Sequence, residues 1–184
     1  MNLKKISLGL AAVSLSASAF AATEIIDLSD VASWDAVGDI DNTILMIDLG
    51  VDSVVTGIGW DVTITPQGDS WYSEAAVGLG TATDPNLVSV RPGINDGNAG
   101  DGIPVAYSSG GIVDFSDNAI ADITLVDGIL ILEFFESFDD IDGEIDSIWN
   151  GTLTIEFTPV PLPAAVWFLA SGLGAMGFFG RKRA

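Results

Sequence analysis

Asp139, Asp140, Asp142, Glu144 and Asp146 place five carboxylates within eight positions, with Gly143 permitting a tight bend between them. Hard oxygen donors at that density are what Ca²⁺ requires, since it takes six to eight oxygens in flexible geometry. The spacing is not that of an EF-hand loop, whose terminal Glu is missing here. These five residues are the candidate metal ligands, and Ca²⁺ is the candidate ion. A second oxygen-rich loop runs through Asn95, Asp96, Asn98 and Asp101. Asp, Asn and Gly also belong in ordinary solvated turns, and that reading stands beside the metal reading for both loops.

Other chemistry is poorly supplied. The chain has no Cys and no His, so disulfides, thiolate nucleophiles and an imidazole base are all excluded. Glu133 and Glu136 are three apart in "ILILEFFE" and face opposite sides of a strand, which does not suit paired carboxylates cutting a glycosidic bond. No catalytic residues and no cofactor are assigned, and the expectation is a protein that is not an enzyme. Trp60, Trp71, Tyr72 and Trp149 could stack on sugar rings, but core packing is the default for such residues. Lone Arg91 receives no role.

The charge distribution is uneven. There are 6 basic and 26 acidic residues, and every Asp and Glu lies between Glu24 and Glu156. Arg91 is the only cation in that span, so Ala22 to Thr158 carries a formal charge of −25. Such a surface repels nucleic acid and anionic lipid, and suits cations or simply a soluble exported protein.

Between Glu24 and Thr158 the hydrophobic period is two. In "TGIGWDVTIT", Ile58, Trp60, Val62 and Ile64 share one face; in "GTLTIEFT", Leu153, Ile155 and Phe157 do. "ILILEFFE" and "NTILMIDL" are nearly continuous apolar runs, as expected of strands covered on both faces. Turn clusters such as "PQGD", "TDPN", "SSGG" and "VDGI" separate nine or ten such segments. Asp127-Gly128 signals a two-residue hairpin. "SDVASWDAV" is the one stretch that suits a helical turn, and "NGT" at Asn150 is read as a turn. The expected fold is all-β: an antiparallel β-sandwich, jelly-roll-like, over residues 22–158.

The two ends read as targeting segments. Lys4 and Lys5, the apolar run Ile6 to Leu15, and the small-residue site at Ala19 and Ala21 predict a signal peptide over 1–21, cleaved after Ala21. From residue 159 onward the composition changes. Ala164 to Gly180 is 17 uncharged residues, about 25 Å of helix, at the lower limit for one transmembrane span. Arg181, Lys182 and Arg183 follow as a basic stop that stays on the cytoplasmic side. Pro161 and Pro163 hold the preceding stretch extended.

"VPLPAAVWFLASGLGAMGFFGRKR" closely resembles the PEP-CTERM sorting tail in its VPLPA variant. Leu162 stands where the namesake motif has Glu. By that resemblance Val160, Pro161, Leu162, Pro163 and Ala164 form the recognition motif for exosortase, a membrane-embedded, cysteine transpeptidase-like enzyme of Gram-negative bacteria. "VTGIGWDVTITPQGDSWYSEA", "SSGGIVDF" and "LEFFESFDDIDGEIDSIW" are similar to a recurrent domain of such surface proteins. The resemblance implies an exported cell-surface or matrix protein associated with biofilm or exopolysaccharide. Its partners would be signal peptidase, the exosortase-like enzyme, the membrane through its C-terminal helix, and a candidate polysaccharide, with no nucleic acid. The alternative is a carbohydrate-binding module, with Ca²⁺ as a candidate ion.

Overall fold

The computed structural model describes residues 20–138 and 143–160. The described residues form ten strands: β1 (Ala22–Ser33), β2 (Thr43–Asp48), β3 (Ser53–Pro66), β4 (Ala75–Thr81), β5 (Asp84–Val90), β6 (Val105–Ser108), β7 (Val113–Asp114), β8 (Ile123–Leu125), β9 (Ile129–Glu136) and β10 (Ser147–Thr158). A short 3-10 turn at Ser116–Asn118 is the one helical element among the described residues. The protein is all-β, with two antiparallel sheets. One sheet runs β1-β10-β3-β6, with β7 and β8 also pairing to β3; the other runs β2-β9-β4-β5. No helix among the described residues is long and apolar enough to cross a membrane.

The alternation read from the sequence sets the core. Ile58, Val62 and Ile64 of β3 meet Leu153 and Ile155 of β10 on the buried face, with Trp60 half-buried among them. Leu130, Leu132 and Phe134 of β9 face them from the other sheet. Trp149 is fully buried and meets Phe134 edge-to-face, ring centroids 5.4 Å apart, the geometry preferred by aromatic quadrupoles. Strand β9 is also covered on its outer side, where Ile131, Glu133 and Phe135 are buried.

Two quoted segments meet across the sheet. A Cβ on Gly57 would stand 2.9 Å from the Val113 carbonyl, and one on Gly59 would stand 2.9 Å from the Gly111 carbonyl. The chain from Ser109 to Val113, between its pairings with β3 through β6 and β7, therefore bulges onto β3 where only glycine leaves room. Ser109 fixes that bulge: its Oγ accepts from Trp60 N at 2.8 Å, and its own N donates to Trp60 O at 2.9 Å.

Three local expectations are corrected. Asp127-Gly128 forms a turn, with Gly128 N donating to Leu125 O at 3.1 Å, but β8 and β9 do not pair. β8 joins β3 and β9 joins β2, so the turn passes the chain from one sheet to the other. Gly128 packs so closely on the 50–51 turn that a Cβ would be 2.5 Å from the Gly50 carbonyl carbon, and its carbonyl accepts from Leu49 N at 2.8 Å. "SDVASWDAV" is not helical: Ser29 to Ser33 continue β1 after a bulge between Leu28 and Val31. Asn150 is not in a turn but within β10, where its amide holds Asp30 of that bulge through Asp30 N (3.0 Å) and Asp30 Oδ1 (3.2 Å). Asp30 needs the support, since its φ is +50°.

Candidate functional site

The end of β1 ties the two sheets together. Ser33 O accepts from Asp146 N at 3.0 Å, at the start of β10, and Asp35 O accepts from Glu136 N at 3.0 Å, at the end of β9. Asp146 O in turn accepts from Gln67 N at 2.7 Å. These main-chain bonds bring Glu136 and Asp146 inward at one end of the sandwich, where they are 1% and 0% exposed.

Polar side chains line that end. Ser33 Oγ donates to Glu136 Oε1 at 2.6 Å and accepts from Trp149 Nε1 at 3.3 Å. Ser147 Oγ lies close enough to help hold the Glu136 carboxyl down, without full hydrogen-bond geometry. Glu136 is pushed up to about 8, mainly by burial, with smaller contributions from the nearby charges of Asp146 and Glu74. A carboxyl in this setting can hold a proton near neutral pH or serve as a ligand.

Three residues upstream, Glu133 is equally buried but differently served. Its Oε1 accepts from Gly38 N at 2.6 Å and from Asn42 Nδ2 at 3.1 Å. Asn42 Oδ1 accepts from Trp34 N and Asp35 N, both at 3.2 Å. The 34–42 loop is thus folded around one carboxylate and one amide. It also gathers Asp35, Asp39 and Asp41, whose carboxylate oxygens lie within 4.8 Å of one another, close enough to share one cation. Asp35 is buried and its Oδ1 accepts from Gly143 N at 3.2 Å, while Asp39 Oδ1 accepts from Asp41 N at 2.9 Å. Sequence reasoning missed this trio. The signal was the D-x-x-x-D-x-D spacing across Gly38, obscured by treating the segment as a helical turn.

Of the five carboxylates expected to bind metal together, Asp139, Asp140 and Asp142 lie outside the described residues. Glu144 is exposed, whereas Asp146 points into the interior beside Glu136. In the second oxygen-rich loop, Asp96 accepts from Tyr107 OH at 2.8 Å and from Asn98 Nδ2. The Tyr107 bond holds its pKa below the usual carboxylate range, and burial with that same bond raises Tyr107. Asn95 and Asp101 are exposed. Among the aromatic candidates, Trp149 and Tyr72 are buried and Trp60 is half-buried on the core face, leaving Trp71 at 44% exposure. Arg91 Nη1 donates to Ser137 Oγ at 3.3 Å. Ala19, Pro161, Leu162, Pro163, Ala164, Arg181, Lys182 and Arg183 lie outside the described residues; Ala21 and Val160 are both exposed.

A shallow groove of about 360 Å³ opens beside the Ser109–Val113 bulge, lined by Asp61, Ser108, Thr152 and Thr154. Hydroxyls and a carboxylate there offer hydrogen bonds to a polar ligand.

No family model matches the chain, and no curated protein matches it. Among solved structures, it is similar to the structure of the infectious bursal disease virus Gt strain, with TM-score 0.38 and 12% identity, over 84% of this chain and 36% of that one. It is also similar to that of the Gx strain, with TM-score 0.40 and 14% identity, over 85% and 37%. The chain thus spans little more than a third of either. At these scores the likeness bears on neither activity nor partners.

Proposed function

We propose that this chain is an exported, non-catalytic surface or matrix protein, an acidic β domain delivered by its ends. The observation that carries this reading is the segregation of charge. All 26 acidic residues and one Arg lie in the central domain, and the other five cations lie at the two extremities. Cations that remain cytoplasmic at both ends place the acidic domain outside. The resemblance of Val160 to Ala164 and the following apolar and basic segments to the VPLPA tail supports sorting by an exosortase-like enzyme. β1 opens at Ala22 and β10 closes at Thr158, side by side in one sheet, which suits a domain flanked by appended segments. The finer, jelly-roll-like description draws support from the way β1, β3, β6 and β10 alternate along the chain with β2, β4, β5 and β9 of the facing sheet.

Terminal mapping in the native host tests the proposal. The mature protein should begin at Ala22 and lack Arg181 to Arg183 by intact mass. Changing Pro161→Ala together with Pro163→Ala should leave an uncleaved, membrane-retained form. A mature protein that keeps the three cations contradicts tail removal.

A second reading, a carbohydrate-binding module, is favoured by the hydroxyl-lined groove at Asp61, Thr152 and Thr154. Binding to host exopolysaccharide that survives Asp61→Ala would count against that groove.

A further inference from the structure

The β2-β9-β4-β5 sheet carries a concavity of its own, about 470 Å³, bordered by Val37 of the 34–42 loop. Small residues on β4 create it. Ala76 pairs with Phe135 of β9, and Gly78 pairs with Ser89 of β5. With so little side chain on the strand between them, a trough is left between β5 and β9. Asn86 lies in against Gly78, where a Cβ would stand 2.8 Å from its Oδ1 and 3.4 Å from the Phe135 ring. Phe135 is buried, and Val37 and Ile94 add exposed apolar walls. Ile94 is brought there by the turn after β5, in which its N donates to Arg91 O at 3.2 Å.

Arg91 also lines this trough. It is the single cation between Ala22 and Thr158, among 26 acidic residues. Its one hydrogen bond among the described residues goes to a hydroxyl, Ser137 Oγ at 3.3 Å, and not to a carboxylate. A guanidinium has five N–H donors in a planar fork that matches a carboxylate. Asn86 and Ser89 add an amide and a hydroxyl beside it. Glu136 borders the trough too, but its carboxyl turns to Ser33 and is protonated near neutral pH, where it does not repel an anion. The volume lies within the range of about 300–1,000 Å³ usual for small-ligand pockets. A fork for a carboxylate, neutral groups for hydroxyls and an apolar surface for a ring match one acidic sugar unit. A polyanion such as nucleic acid would meet the charge of the whole domain.

We propose that this trough binds a single sugar acid of the hexuronate class. Arg91 holds its carboxylate, Asn86 and Ser89 take its hydroxyls, and Phe135 and Ile94 meet its ring. The site lies on the other sheet from the Asp61 groove, and it stands whatever route delivers the domain.

The test is isothermal titration of the full chain in mild detergent, at constant ionic strength, with sodium glucuronate, glucose and sodium acetate in turn. Glucuronate should bind about tenfold or more tightly than either of the others, since only it has both the carboxylate and the ring. Arg91→Gln should remove that advantage over glucose, with near-UV circular dichroism confirming the fold, and Asp61→Ala should leave it intact. The methyl glycoside of glucuronate is capped as a chain unit is. Binding equal to the free acid supports a unit within a polysaccharide, and weaker binding supports a free sugar acid; either outcome supports the trough. Glucuronate binding no better than glucose or acetate overturns the proposal. So does an advantage that survives Arg91→Gln or disappears with Asp61→Ala.

Discussion

Glu133 and Glu136 lie on one strand, three residues apart, each with 1% of its surface exposed. Their surroundings differ. Glu133 faces outward from the sheet into a loop that folds over it and supplies Gly38 N and Asn42 Nδ2. Glu136 faces the end of the core, receives one hydroxyl from Ser33, and lies beside Asp146 and Glu74, which carry its own sign of charge. Burial alone therefore does not define a carboxylate's role. One is enclosed by donors and organises a loop; the other is buried beside two like charges and holds a proton near neutral pH.

The largest expected effect separates the two by pH. Glu136 is raised from 4.5 to about 8 in the folded state, so between those values the native protein binds the proton that the unfolded chain releases. Stability should therefore fall as pH rises from about 4.5 to about 8, by about 4 kcal/mol at full swing. Calorimetric melting in chelator across that window checks this. Glu136→Gln should flatten this part of the slope and melt higher than the unmodified protein at pH 8. A slope unchanged by that substitution would mean that burial has been offset by groups other than Ser33 and Ser147.

Glu133 should respond in the opposite direction. Glu133→Ala leaves Gly38 N and Asn42 Nδ2 without their buried acceptor, and opens a space under the 34–42 loop. The expected loss is about 3 kcal/mol, read as a fall in the urea midpoint with an unchanged m-value. If Glu133→Ala is as stable as the unmodified protein, the loop does not depend on that carboxylate and the contrast with Glu136 fails.

The periodicity of two is legible in the sequence and marks the inner faces of the sheets: Ile58, Val62 and Ile64 on one strand, Leu153 and Ile155 on another. It also told Glu133 from Glu136 by side of strand. It did not tell what each side would meet. The partners of Glu133 come from 91 and 95 residues away, and Ser33 meets Glu136 across 103. Asn150 reaches Asp30 across 120. Local spacing carries no information about such pairs. The same limit applies to Asp127-Gly128, where residue type set the bend correctly but the partners of β8 and β9, β3 and β2, lie far away in sequence. Density of charge groups Asp146 with its neighbours, yet Asp146 is buried at the start of β10, where its N donates to Ser33 O, while Glu144 is exposed.

Ser33 sharpens the contrast at the smallest scale. Its hydroxyl is the one donor that Glu136 receives with full hydrogen-bond geometry among the described residues, and it also accepts from the buried Trp149 indole. Ser33→Ala removes both partners at once while adding no volume. Trp149 Nε1 is then buried without its acceptor, and the Glu136 carboxyl loses a group that lowers its pKa. The two losses together should cost about 1–2 kcal/mol near pH 9, above the Glu136 pKa of about 8, where the ionised carboxylate needs that donor. They should cost less near pH 6, where Glu136 is protonated and can donate a hydrogen bond itself. A variant equally destabilised at both pH values would assign the whole effect to Trp149 and none to Glu136.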